Sequence, residues 1–287
     1  MFNRFSKTIL VVVVAFFIVA GCEQQQRQQQ KEELLPHVPA YLTPAVEKAG
    51  GLDAWSRTTK LESDCVVTFY QPDGSFYLTE QHHEIYPLLN LIRISAQETE
   101  GKFIWEFSPA GLRVIEGTER TSFFPVGPRA SQRSAASQSS IGAEDFAKAI
   151  LDITTAPVRL LKCKADLMRG SAALRVEGRW YYPIEQAPPL LNYVKRGTGR
   201  VGDKTGSEPY WPKRVFYQNR DSSLVDMLWF TGIDRGTFLA VRGYYYYEVE
   251  KGGVVVPAKI EIFTTDVRRV MRHRLVKIDY HRLKAAK

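Results

Sequence analysis

Short stretches with strand-type patterning follow one another along most of this chain, and a single long helical pattern interrupts them. In the first half they are Cys65–Tyr70, Phe76–Tyr86, Leu91–Ala96, Phe103–Phe107 and Leu112–Glu116. In the second half they are Ala172–Tyr182, Lys213–Gln218, Leu224–Phe230, Thr237–Glu250, Val254–Thr265 and Met271–Leu283. Turn residues separate neighbours: in Gln71-Pro72-Asp73-Gly74-Ser75 the proline presets φ and the glycine accepts positive φ, and Lys251-Gly252-Gly253 makes a second tight turn. Between the halves, Ile141–Lys164 carries Phe146, Ile150 and Ile153 at helical spacing, and Thr154, Thr155 and Pro157 divide it in two. Without strand–helix–strand alternation, the pattern favours one mainly β domain: a twisted antiparallel sheet of about eleven strands, curled toward a barrel around one or two helices. With 287 residues, 44% hydrophobic and 24% charged, the chain has material for such a core, which excludes wholesale disorder and a disulfide miniprotein.

The alternation within the strands is incomplete. In Phe103-Ile104-Trp105-Glu106-Phe107 one face holds Phe, Trp and Phe, the other Ile and Glu. Tyr244–Tyr247 carries rings on both faces, and Leu224–Phe230 is largely apolar on both. A sheet solvated on one side alternates more cleanly. The surplus needs a cover, either more protein, the long segment Phe123–Ser140, or a bound apolar ligand. An aromatic-rich core explains any single residue equally well. Read as the wall of a ligand cavity, the candidates are Phe103, Trp105, Phe107, Trp229, Tyr245 and Tyr247, rings that combine apolar bodies with a few polar tips.

The first residues have a different character. Arg4 and Lys7 precede an apolar run from Ile9 to Ala20, too short to span a bilayer (about 20 residues) and suited to a signal-peptide core. The run ends in Val19-Ala20-Gly21-Cys22, which resembles the bacterial lipoprotein signal; that resemblance implies cleavage before Cys22 and acylation of its thiol. The alternatives are an uncleaved anchor or an ordinary secretory signal followed by a chance cysteine. Each buried acyl methylene contributes about 0.8 kcal/mol, so a multiply acylated terminus stays on its membrane. Glu23 replaces the Asp that the resemblance associates with inner-membrane retention, which points to the periplasmic side of the outer membrane. Residues 1–21 thus read as signal peptide, and 22–40, containing the Gln-rich run Glu23–Glu33, as a flexible tether. The domain is expected over 41–287. It opens with a helix capped by Thr43, with Pro44 in its first turn and Gly50-Gly51 at its end, followed by a helical piece Leu52–Arg57 anchored by Trp55.

The order of elements resembles the bacterial lipoprotein-carrier half-barrels of the LolA and LolB type and their mycobacterial lipid-carrier relatives. The opening Val46-Glu47-Lys48-Ala49-Gly50-Gly51-Leu52-Asp53-Ala54-Trp55 carries the likeness at one end. At the other it is carried by Tyr244–Glu250 followed by Lys251-Gly252-Gly253-Val254-Val255-Val256-Pro257-Ala258-Lys259-Ile260-Glu261-Ile262. The resemblance implies a twisted sheet wrapped on helices, an apolar cavity for acyl chains, and no catalytic residues. The chain departs from it in insertions at 125–140 and 196–210 and in its own anchor, which favours an anchored acceptor or lipid-binding role over a soluble carrier. The expected partners are the membrane, a lipid or acyl chain, and a protein of the envelope; the alternative is an interaction or sensor module that binds no lipid.

Enzymatic readings find less support. His82 and Glu84 share one face of a strand and His83 points to the other, so a metal site there needs a further ligand, for which His37, His273 and His281 are the candidates. HExxH and GxSxG are absent, and Glu144, Asp145 and Asp152 read as groups that cap or solvate the helix. The Gly-rich stretch Arg196–Ser207 lacks the spacing of a phosphate loop and reads as a surface connection. No cofactor, metal or catalytic residue is expected. The formal charge of +8 is spread without a basic stripe or nucleic-acid motif, and nucleic acid is not an expected partner. Cys65 and Cys163 form either a disulfide, which an exported compartment permits, or two separate buried thiols.

Overall fold

Period-two burial builds the sheet. Along β1 (Lys60–Tyr70) the side chains of Leu61, Ser63, Cys65, Val67 and Phe69 turn inward, and along β2 (Phe76–Tyr86) those of Thr79, Gln81, His83 and Ile85 do so. β3 (Leu91–Glu98), β4 (Gly101–Ser108) and β5 (Gly111–Glu116) continue the meander. The computed structural model describes residues 38–98, 101–117, 141–161, 167–186, 214–232, 238–266 and 268–286. The segment read as signal peptide, residues 22–37 of the Gln-rich tether, the sequences 123–140 and 196–210, and Cys22, His37 and Cys163 lie outside them.

The second half adds β6 (Leu167–Arg169), β7 (Leu174–Val176), β8 (Arg179–Gln186), β9 (Arg214–Asn219), β10 (Val225–Thr231), β11 (Phe238–Glu248), β12 (Val255–Thr265), β13 (Met271–Tyr280) and β14 (Lys284–Ala286). All pairings are antiparallel, and the strands run β5-β4-β3-β2-β1-β13-β12-β11-β10-β9-β8-β6, with β14 pairing β1 and β7 pairing β8. The domain is one large antiparallel sheet that does not close into a barrel. The described residues hold fourteen strands rather than about eleven. β6 and β14 are additional short strands, and the stretch 172–182 breaks in two. It breaks at a turn through Glu177 (φ 45°) and Gly178 (φ 83°).

Among the described residues, four helices accompany the sheet: α1 (Thr43–Lys48), α2 (Gly51–Arg57), α3 (Ala143–Thr154) and α4 (Ala156–Leu161). Thr43 is the first residue of α1 rather than its cap; Leu42 holds the cap position without a side-chain hydrogen bond. The break between α3 and α4 falls at Thr155, with Pro157 accommodated in the first turn of α4. α3 dictates the curvature. It touches β3, β4 and β5 on one side and β10, β11 and β12 on the other. Strands lie about 4.8 Å apart, so a flat sheet places β5 and β10 roughly 38 Å from each other. A twelve-residue helix is about 18 Å long. Both sets of contacts are met because the sheet curls around α3.

The two sequence segments that open and close the domain meet. The Val255 N–H donates to Ala49 O at 2.9 Å, and the buried Trp55 indole donates to the same carbonyl at 2.9 Å. Gly50, at φ 105°, lies so close to the β11–β12 turn that an added Cβ would stand 2.0 Å from Gly253 O. No residue with a side chain fits there without a shift in the backbone.

Candidate functional site

Registers across the sheet place its concave wall. Phe69, Val276, Ile262, Val241, Leu228, Phe216 and Ile184 are directly paired, strand to strand, from β1 to β8. All seven are buried, and Phe69 meets Phe146 of α3 with ring centroids 5.6 Å apart, so this row faces the helix. On the other side of β1, the paired residues are Leu61–Ile85–Ile92–Phe107, then Ser63–His83–Ile94–Trp105, then Cys65–Gln81–Ala96–Phe103. His83 also meets Phe146, at 6.3 Å edge to face, which puts these rows on the same concave face. Phe103 and Trp105 pack together at 4.7 Å.

A polar seam crosses this wall. The Tyr280 hydroxyl donates to His83 Nδ1 at 3.0 Å, and His83 Nε2–H donates to Gln81 Oε1 at 2.9 Å. The tautomer follows from the single phenolic proton, which finds its acceptor in Nδ1. The Cys65 thiol donates to Gln81 O at 3.5 Å. Burial holds the His83 imidazole down to about 3 and pushes the Tyr280 hydroxyl and the Cys65 thiol well above their ordinary values. All three are therefore neutral near pH 7. Cys65 is a free thiol here, and its proposed partner Cys163 lies outside the described residues.

Asp152 differs from the expectation that it solvates the helix. It is fully buried on α3 and pairs with Arg159 Nε of α4 at 2.6 Å and with Arg214 of β9 at 3.2 Å. Asp145 is buried as well, whereas Glu144 is only partly covered. Lys148, one turn before Asp152, places its ammonium 4.7 Å from the Phe230 ring, and desolvation lowers its pKa. The helix is thus tied to α4 and to β9 by one ion pair each, and to β10 by a cation over an aromatic face.

Of the six candidate wall residues, the structure brings together Phe103, Trp105 and Phe107 on β4. Tyr247 shares their face at the β13 side, and its hydroxyl accepts the Leu283 N–H at 2.7 Å. Tyr245, in the left-handed region at φ 54°, is 75% exposed. Trp229 lies on the opposite face, because its neighbour Phe230 is the residue that meets α3. There it joins Tyr181, Val215, Tyr217 and Met227 in a second buried cluster, covered by Val176, Phe238 and Met271. Its ring stacks on Phe238 at 5.4 Å, the Arg269 guanidinium stands 5.2 Å over it, and its indole N–H donates to Thr265 Oγ1 at 2.9 Å. The doubly apolar pattern of β10 is thereby covered by protein on the convex face as well as by α3.

His82 and Glu84 share the convex face of β2, which is an internal strand, and Glu62 completes a group whose ligand atoms lie within 4.8 Å of one another. The third member is Glu62, not one of the distant histidines. Lys60 already bridges the two carboxylates, at 2.5 Å from Glu62 and 3.2 Å from Glu84, and His82 Nδ1 pairs with Asp64 at 2.8 Å. The arrangement is a surface ion-pair network, with Arg93 linking Glu84 onward to Glu106.

Fold and site together define a class: an open antiparallel sheet curled on a helix, with an apolar concave wall crossed by a few neutral polar groups. The solved structures similar to this chain include these three. A DUF1329 family protein from Desulfovibrio piger is 14% identical, with 86% of this chain and 92% of that chain covered and a TM-score of 0.41. A LolA superfamily protein from Nitrosomonas europaea is 11% identical over 85% and 92% of the two chains, with a TM-score of 0.39. A putative outer membrane lipoprotein-sorting protein domain from Vibrio parahaemolyticus is 10% identical over 85% and 92%, with a TM-score of 0.37. No protein-family model and no curated protein sequence matches the chain.

Proposed function

We propose that this chain is a lipoprotein of the bacterial envelope, anchored through Cys22 to the periplasmic side of the outer membrane, that holds a lipid or the acyl chain of an acylated protein between α3 and the concave wall. The observation that carries this reading is the unbroken apolar row from Phe69 to Ile184, one residue from each of seven adjacent strands, on the face against which α3 packs. An acyl chain entering beside α3 exchanges water for this wall at about 0.8 kcal/mol per buried methylene. The wall is already covered in this structure, so entry requires α3 to separate from it. The ion pairs of Asp152 with Arg159 and Arg214 leave the helix a fixed pivot at β9. On this reading the work is transfer of chains between membrane and protein, and no covalent chemistry is involved.

Native mass spectrometry of the full chain, purified from its membrane without added lipid, tests the reading. An amphiphile bound at one or two acyl chains per polypeptide is expected. An empty protein that also fails to take up a fluorescent fatty-acyl probe overturns it. Metabolic labelling with a palmitate analogue tests the anchor separately, with loss of label expected in Cys22→Ala.

A further inference from the structure

The polar seam on the concave wall runs in one direction and does not finish. Tyr280 gives its proton to His83, His83 gives its own to the Gln81 carbonyl oxygen, and the Gln81 amide nitrogen, buried with the rest of its side chain at 3% exposure, has no hydrogen-bond partner. Rotating the amide by half a turn does not cure this, because it deprives the Tyr280 proton of its acceptor and leaves the amide oxygen unmade instead. A buried N–H without an acceptor is costly, so its position marks where a further acceptor, beyond the described residues, belongs.

The surroundings say what that is. Gln81 is flanked across the strands by Cys65 and Ala96, two small side chains, and beyond Ala96 stands Phe103. The donor therefore sits between two small side chains in an otherwise greasy wall. His83 and Cys65 are both neutral, and Gln81 itself carries no charge, so the seam favours a neutral acceptor over a phosphate or carboxylate. The chemical group that combines a neutral acceptor with an apolar tail is the carbonyl of an acyl ester.

We propose that Gln81 Nε2 is the recognition point for the ester carbonyl of a bound acyl-glycerol ligand, with His83 and Tyr280 as positioning residues that fix the amide's orientation. This rests on the lipid-binding reading above and deepens it, by requiring an acyl ester where a cavity selecting for grease alone accepts any long chain.

The test uses the full chain in detergent and two matched pairs of probes. One pair is a diester phosphatidylethanolamine and its diether analogue with the same chain lengths. The other is a synthetic peptide bearing an S-diacylglyceryl cysteine and its dialkyl counterpart. The wild type is expected to bind the ester of at least one pair about tenfold more tightly than the ether, the scale set by leaving one buried donor unmade. The preferred pair identifies the source as a phospholipid or an acylated protein. Gln81→Met, similar in length and unable to donate, is expected to bind ester and ether alike while still binding both. Equal binding of ester and ether by the wild type overturns the assignment and leaves the cavity reading intact; this comparison needs no variant to fold. Failure to bind any of the four probes overturns both. An ordered water on Gln81 Nε2 in a lipid-bound crystal structure overturns the assignment alone.

Discussion

Replacing Gly50 by alanine probes the junction on which the opening helices depend. At φ 105° a residue with a Cβ pays about 1–2 kcal/mol for entering the left-handed region. The new methyl group also stands 2.0 Å from Gly253 O and 2.9 Å from Val254 Cα, both backbone atoms, so relief requires the β11–β12 turn to move. Overpacking of this kind costs about 1–3 kcal/mol. Moving the turn also stretches the hydrogen bond from Val255 N–H to Ala49 O, the carbonyl that Trp55 uses. A total of about 3 kcal/mol lowers the Tm by roughly 6–12 °C in a domain of this size. Gly51→Ala is the control. It too has a positive φ, 79°, but its Cβ meets nothing within 4 Å, so only the conformational cost of about 1–2 kcal/mol applies. Differential scanning calorimetry of the two variants decides the matter: equal shifts refute the argument that the turn and helix are in forced contact.

Two further outcomes follow from buried charge and its absence. His83 has its folded pKa depressed to about 3 from an ordinary 6.5, so the unfolded chain binds the extra proton and stability falls as pH drops below 6.5; from pH 6.5 to 5 the loss is about 2 kcal/mol, measurable by urea unfolding and absent in His83→Gln. Asp152→Ala leaves Arg159 and Arg214 facing each other without their shared carboxylate and is expected to cost about 3 kcal/mol in the same assay; a change below about 1 kcal/mol shows that the two guanidinium groups escape to water and that the pairing holds little.

Much of the architecture is legible without coordinates, because it rests on local chemistry. Phe76–Tyr86 alternates over its whole length, the Gly-containing turns punctuate the meander, and Thr155 and Pro157 break the helix where steric rules say they should. What escapes is whatever depends on register. β1 starts at Lys60 instead of Cys65 because its first residues are charged on the outward face, and only Leu61 and Ser63 face in. Trp105 and Trp229 look alike in sequence, yet they stand on opposite faces of the sheet, because Trp229 alternates with Leu228 and Phe230, which face α3. Asp152 reads as a helix-solvating acid, since nothing in its neighbourhood announces that Arg214, on a distant strand, arrives to pair with it. Gln81 and His83 carry a faint signal: they continue the inward parity of Thr79 and Ile85, so alternation alone places two polar side chains against the helix. The partner that orients them, Tyr280, lies almost at the other end of the chain.

That distance governs how the molecule assembles. β1 sits in the middle of the sheet, and β13 is its neighbour there, with His83 and Tyr280 bonded across 197 residues of sequence. The five-strand meander can form from local hairpins as soon as it is made, but its innermost strand then keeps a bare edge until the C-terminal strands arrive. Closing so wide a loop is slow, because its entropy must be lost before any contact compensates it. In the interval the bare edge is a site for strand exchange with a second copy, a vulnerable stage that the chain passes through every time it folds.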